Sequence, residues 1–267
     1  MLFLECVVTM FKPDFSLNNR LALVTGSTRG LGYAIASAYA ASGANVIING
    51  RDPERTQAVA RQLREQGATA HAWVQDIADF DSLPQAYANL CNQWGTPDIL
   101  VNNVGIRIRK PLSSASVNDI NQLIHVNLSA AVFLSKLAAG AMLDHNSQPS
   151  GRIISLTSIA GNLARSGDAI YPIAKLGLKG LVHSLAVEYG PYGITSNGVA
   201  PGTFATEANA DLVADPVRGP VVIGRNPLGR WGQPEEITGA AVFLASPSAA
   251  YVNGHVLVVD GGFSITF

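Results

Sequence analysis

Tyr171 and Lys175 stand at i and i+4, which on a helix puts them on one face about one turn apart. A phenol beside an ammonium is a proton-transfer pair: free tyrosine, with a pKa near ~10, is a poor base near neutral pH, and an adjacent cation stabilises its phenolate. Reducing a ketone requires such a donor as hydride arrives, and oxidising the alcohol requires it as acceptor. Ser158, upstream of the pair, offers a hydroxyl that can bond an oxygen on which charge develops. The plainer assignment is a packed tyrosine, a surface lysine and a turn serine.

A second group of residues suits a dinucleotide. Gly26-Ser27-Thr28-Arg29-Gly30-Leu31-Gly32 directly follows an apolar run and opens a helical pattern. Glycines there let the backbone turn and approach a pyrophosphate, while the helix N-terminus supplies unpaired N–H groups and a positive dipole end. Folds that bind NAD place an acid about 20 residues further on to hold the ribose 2′-hydroxyl. Here that place reads Asn49-Gly50-Arg51, with no acid before Asp52. Gly50 leaves room for a 2′-phosphate, and Arg51 and Arg29 can clamp one with charge-assisted hydrogen bonds. These residues predict NADP(H) over NAD(H), against the alternative of Arg51 as a solvated arginine at a helix start.

The elements that must position these groups follow a single rhythm. Short runs rich in β-branched residues, Leu21–Thr25, Asn45–Asn49, His71–Gln75, Ile99–Asn103, Arg152–Leu156, Ile194–Ala200 and His255–Asp260, alternate with helical patterns. The runs are nearly wholly apolar, as strands covered on both faces are. Seven strands joined by helical crossovers predict an α/β fold, one Rossmann-type doubly wound domain with a seven-stranded parallel sheet and helices on both faces. The domain is expected to span 21–267 after an N-terminal extension, 1–20. The stretch 201–234, with its prolines and glycines and no clear strand, reads as a lid or binding loop.

Composition excludes several classes. Hydrophobic residues make up 48% of the 267 and charged residues only 14%, so the chain can bury a core and disorder is excluded. Eighteen basic residues nearly cancel nineteen acidic ones, which argues against nucleic acid or an anionic membrane as partner. Cys6 and Cys91 have neither metal-ligand nor redox-motif spacing, and no metal site is expected. Two thiols in this length point to a reducing compartment, taken as the cytoplasm. The opening MLFLECVVTMF lacks a basic region and carries Glu5, so it does not read as a signal peptide. The longest apolar stretch, Ala130 to Leu143, is interrupted by Lys136 and is shorter than the ~20 residues of a membrane helix.

The glycine spacing T-G-x-x-x-G-x-G, the serine and the Y-x-x-x-K pair together resemble the short-chain dehydrogenase/reductase family, over about Leu21 to Gly262. The resemblance implies a catalytic set of Asn127, Ser158, Tyr171 and Lys175, with Lys175 also holding the nicotinamide ribose and Asn127 holding a water that links Lys175 to solvent. It further implies that Asp76, with Ile77 beside it, contacts adenine. Asn102-Asn103-Val104-Gly105 resembles the family's N-N-A-G segment, with Val104 for alanine. In Pro201-Gly202-Thr203-Phe204-Ala205-Thr206, the backbone near Phe204 would meet the carboxamide and Thr206 the phosphate or amide.

Arg107, Arg109 and Lys110 follow the N-N-x-G loop, and Arg165 lies between Ser158 and Tyr171. Cations on both sides of the reacting centre suit an anionic substrate, with Arg109 and Arg165 joining Ser158 and Tyr171 as its expected contacts. Exposed loop charges or intersubunit pairs are the alternative. An arginine four after the loop glycine and another six before the tyrosine resemble the gluconate 5-dehydrogenase branch, as do Arg230-Trp231-Gly232-Gln233-Pro234-Glu235-Glu236 and Tyr251-Val252-Asn253-Gly254-His255. That branch implies a sugar-acid substrate such as gluconate and its 5-keto form. A 3-oxoacyl-thioester reductase and a non-catalytic NADP-binding sensor or scaffold are the other functions weighed. The helix of Tyr171 is apolar over most of its circumference, which predicts cover by a neighbouring subunit; the family resemblance implies a homotetramer, with Phe263–Phe267 at an interface.

Overall fold

A computed structural model describes residues 12–145 and 150–266. Residues 1–11 of the expected N-terminal extension, and Phe267 of the expected interface segment, lie outside the described residues.

The seven expected strands are present: β1 (Leu21–Val24), β2 (Asn45–Gly50), β3 (Ala70–Val74), β4 (Ile99–Asn102), β5 (Arg152–Leu156), β6 (Thr195–Pro201) and β7 (Val256–Val259). They form one parallel sheet in the order β3-β2-β1-β4-β5-β6-β7. The order reverses between β1 and β4, and a doubly wound sheet opens its ligand crevice at such a switch point, beyond the carboxyl ends of the strands.

Alternate side chains of each strand feed two cores. Ala22 and Val24 of β1 pack with α1 (Gly30–Ala41) and α2 (Pro53–Glu65), whereas Leu21 and Leu23 face α3 (Leu83–Trp94). α2 starts where its sequence says it should, with Asp52 as N-cap accepting from the Arg55 N–H at 3.1 Å and Pro53 in the first turn.

α4 (Val117–Ile124), a π-helical turn (His125–Ser129) and α5 (Ala130–His145) form one continuous helix. Its stretch Val117–Asp144 spans 28 residues and contains an 18-residue window of mean hydropathy 1.5, long and apolar enough by length and composition to cross a membrane. The expectation from sequence that this segment is too short is thereby corrected, because the π turn continues the helix through Asn127. Ala130, Leu134, Ala138, Ala139 and Met142 are nevertheless buried in the second core, as in a helix laid on a sheet.

α6 (Ile170–Tyr189) carries Tyr171 and Lys175 on the same face of the sheet. The segment 201–234, expected as a lid or binding loop, contains two short helices, α7 (Ala210–Ala214) and α8 (Arg218–Ile223). α9 (Thr238–Ala245) completes the first core, where the buried Tyr39 hydroxyl of α1 donates to the Ala241 carbonyl at 3.0 Å.

Candidate active site

The glycine loop is held from three sides. Gly26 and Gly30 have φ of 59° and 55°, a left-handed conformation that glycine adopts without strain. A Cβ on Gly32 would come within 2.4 Å of the Asn103 amide nitrogen. That amide donates to the Thr25 carbonyl at 2.8 Å and the Gly26 carbonyl at 3.1 Å, so the N-N segment after β4 fixes the loop after β1. Asn49, buried at the end of β2, accepts from the Gly26 N–H at 3.1 Å. Ser27, expected at the cofactor, is fully buried, and its hydroxyl donates to the Val24 carbonyl at 2.7 Å, so its side chain belongs to the loop's own scaffold. Arg29 at the N-cap of α1 is exposed, and no side chain caps that helix; its first-turn N–H groups are available to an anion. Thr206 lies beside Gly30, 3.8 Å from where a Cβ would stand.

At the adenosine end Arg51 is exposed and pairs with Asp76 at 3.5 Å. Asp52 is spent on capping α2, so no carboxylate at the end of β2 is placed for a ribose 2′-hydroxyl. Gly50 has a different role from the one expected. Its missing Cβ points into Thr28 and Thr56, at 2.6 Å from each, so glycine here permits close packing of loop, strand and helix rather than opening a phosphate site. Ile77 is buried in the second core.

The four catalytic candidates lie on three elements: the π turn, the segment after β5 and α6. Lys175 is buried and donates to the Leu156 carbonyl at the end of β5 at 2.7 Å. Ser158 follows β5, its hydroxyl accepting from the Ala160 N–H at 3.1 Å. A Cβ on Gly105 would lie 3.5 Å from the Asn127 amide oxygen and 3.6 Å from the Lys175 ammonium, so the loop after β4 runs between the two. The π turn of Asn127 packs on α6 through Leu128, which a Cβ on Gly177 would meet at 2.6 Å. Both polar atoms of the Asn127 side chain are engaged by Ile106, which makes it first a clamp on that loop. π turns of this kind cluster at functional sites.

Burial raises the Tyr171 phenol above its ordinary value, and the Arg107 guanidinium and then the Ser158 hydroxyl pull it back. Burial also holds Lys175 down to about 8, with Arg107 adding repulsion. Lys175 was the expected cation on Tyr171, but its ammonium is 5.7 Å from the ring centroid, while the Arg107 guanidinium is 4.5 Å away.

Arg107 also pairs with Asp168, a buried carboxylate that sequence alone did not single out. Arg109 is held down by desolvation and by the charges of Arg107, Arg165 and Arg218, with Asp168 opposing. Arg109 thus lies within electrostatic reach of Arg107, Arg165 and, from α8, Arg218. Lys110 is a correction: its ammonium bonds Asp119 at 2.8 Å, in the capping box that Ser116 starts for α4, and so it serves a helix end. Pro201 and Phe204 are buried, and the Phe204 ring packs on Gly232, whose Cβ would lie 3.0 Å away. Gly202 is pressed against Asp260, where a Cβ would meet Asp260 Cβ at 2.6 Å. Among the described residues no three His, Cys, Asp or Glu side chains group as metal ligands.

The chain matches, over residues 26–264, the family profile described as enoyl-(acyl carrier protein) reductase. It is 40% identical over 258 residues to gluconate 5-dehydrogenase of Gluconobacter oxydans (strain 621H), covering 96% of this chain and all of that one. It is 37% identical over 249 residues to a 3-oxoacyl-[acyl-carrier-protein] reductase of Synechocystis sp., covering 92% of this chain and 98% of that one. Among solved structures, a gluconate 5-dehydrogenase from Burkholderia cenocepacia J2315 in complex with NADP and tartrate superposes with a TM-score of 0.91 at 38% identity, over 95% of this chain and 98% of that one.

Proposed function

The chain belongs to the short-chain dehydrogenase/reductase family of oxidoreductases, and from that premise we propose that it moves a hydride between NADP(H) and a sugar acid such as gluconate and its 5-keto form. The observation that carries the substrate class is the pair of arginines 107 and 109 facing Tyr171, with Arg165 and Arg218 adding charge at Arg109, which suits a carboxylate beside the reacting carbon. The relative at 40% identity named gluconate 5-dehydrogenase, and the tartrate bound by the Burkholderia enzyme, support it. The residues present fit NADP(H): an uncapped N-terminus on α1, left-handed glycines before it, and Arg51 in place of an acid. NADP bound to the Burkholderia structure supports this choice over NAD(H).

NADP(H), when bound, supplies or accepts the hydride. Tyr171 gives its hydroxyl proton to the substrate oxygen during reduction and takes it back during oxidation. Ser158 donates a hydrogen bond to that oxygen as charge develops. Lys175, buried and close to its neutral form near pH 8, returns the proton to Tyr171 while Asn127 holds the surrounding loop. Arg109 and Arg165 orient the carboxylate.

We propose a homotetramer, supported by Ile173, Leu176 and Val187 of α6 and Val117 and Val132 of the long helix, all large apolar side chains exposed on the single chain. The cytoplasm is the setting we propose for it.

The test is a panel of aldonates, keto-aldonates and 3-oxoacyl thioesters with NADP(H) and NAD(H). Turnover of gluconate or 5-ketogluconate with NADP(H), lost selectively through KM in Arg109→Ala, is the expected result. Efficient reduction of thioesters with none of the sugar acids would favour the second reading, a 3-oxoacyl-thioester reductase, which the 37% identical Synechocystis enzyme keeps in view.

A further inference from the structure

Arg107 approaches the Tyr171 ring with its guanidinium carbon 4.5 Å from the centroid, and it does not stand there unaided. Its Nε donates at 2.9 Å, and its Nη2 also donates, to one oxygen of Asp168. Asp168 is 2% exposed and lies one turn before Tyr171, immediately ahead of α6. Its other oxygen is buried with no hydrogen-bond partner among the described residues. Burying a carboxylate is costly unless it is paired, so Arg107 and Asp168 hold one another in place. Arg107 itself is partly exposed on the loop after β4, where an unanchored arginine side chain would turn to water.

We propose that Asp168 is a positioning residue: it anchors the Arg107 guanidinium on the Tyr171 ring, and this anchored cation, together with Lys175, sets the proton affinity of the phenol. The proposal rests on Tyr171 as the proton-transfer group of the function proposed above. The groups facing Tyr171 are Arg107 and Arg109 from the loop after β4, Ser158 after β5, Asp168 ahead of α6 and Lys175 within it. Lys175 is held by the Leu156 carbonyl, which leaves Arg107 as the cation nearer the ring. In reduction the phenol O–H bond breaks and its proton forms the new O–H bond on the substrate oxygen, leaving a phenolate. A guanidinium over the ring stabilises that phenolate.

The sign of one measurement separates an anchor from a mere charge. The Asp168 carboxylate by itself raises the Tyr171 phenol, so deleting only its charge would lower it. Deleting the anchor releases Arg107, the first of the groups that pull the phenol down, and so raises it. The experiment is an ultraviolet difference titration of the phenol, each variant read against the same variant carrying Tyr171→Phe. Asp168→Ala and Arg107→Met should each move the Tyr171 titration up by about one pH unit, with the alkaline limb of the oxidation rate following. Asp168→Asn, which deletes the charge but keeps the shape and an oxygen that can accept from Arg107, is the fold-preserving check and should by contrast move it down. Arg107→Lys, a cation without the fork, should recover only part of the shift. A downward or absent shift in Asp168→Ala or in Arg107→Met overturns the proposal. The titration needs no substrate, so an expected shift without turnover of any sugar acid would sink the proposed activity and leave the anchor standing.

Discussion

Asn127 and Ile106 are joined twice, the Ile106 N–H donating to the Asn127 amide oxygen at 2.7 Å and the amide nitrogen donating back to the Ile106 carbonyl at 2.8 Å. The π turn aims a buried side chain from the long helix at the loop that carries Arg107 and Arg109, one element fastening another.

Asn127→Ala removes both bonds and leaves two backbone groups of a part-buried loop unpaired. The expected cost is about 1–3 kcal/mol of stability per group left unsatisfied, read as a lower Tm. Because the loop also carries Arg107 and Arg109, kcat should fall by about 10²-fold, the scale of a misplaced catalytic group. Full kcat with unchanged Tm would remove the clamp from consideration.

Arg51→Ala tests the 2′-phosphate contact. The partner that Arg51 has, Asp76, is exposed with it at 3.5 Å, so the variant should leave Tm unchanged. Hydrogen bonds to charged groups are worth about 1.5–3 kcal/mol, which predicts a rise in KM for NADPH of roughly tenfold to a hundredfold. KM for NADH should barely move. Equal effects on both cofactors would place the 2′-phosphate elsewhere.

Gly50→Ala should behave in the opposite way. Its Cβ would press on Thr28 and Thr56 at 2.6 Å, pushing the glycine loop away from β2 and α2. Overpacking of this kind costs about 1–3 kcal/mol, so Tm should fall and KM should rise for NADPH and NADH alike. A loss confined to NADPH would instead return Gly50 to the role of leaving room for a phosphate.

The parallel sheet was legible because strands buried on both faces are apolar throughout, and each observed strand lies within a residue or two of its run. That Tyr171 and Lys175 share one helix was legible from their i, i+4 spacing, and α6 carries both. Asp168 was not, since its partner Arg107 lies 61 residues away and no local pattern links them. Lys110 was misplaced for a related reason: Asp119, the acid of the α4 capping box, also captures that ammonium in space. The short helices of 201–234 were hidden by Pro216, Gly219 and Pro220, which punctuate the sequence as breakers although α8 runs through two of them.

Lys175 offers a prediction that reads stability as well as rate. Its ammonium is pushed down to about 8 by burial, from an ordinary value of 10.5 in the unfolded chain. Between those two values the unfolded state binds more protons, so this group's contribution to stability rises as pH increases from 8 to 10.5. Below that window both states are protonated and the cost of burying the charge is fully present. Lys175→Met removes the charge, so its stability relative to the natural protein should be highest at pH 7 and decline by up to about 3 kcal/mol as pH rises through the window. Denaturant unfolding at pH 7, 8, 9 and 10 measures this, and a pH-independent difference would mean that Lys175 is not desolvated as its burial against the end of β5 requires. The same variant should lose about 10²–10⁴-fold in kcat, because the proton that Tyr171 gives up then has no buried amine to replace it. If both outcomes are found, a side chain that costs stability when charged yet is needed for turnover marks a site where catalysis, rather than folding, dictates the residue.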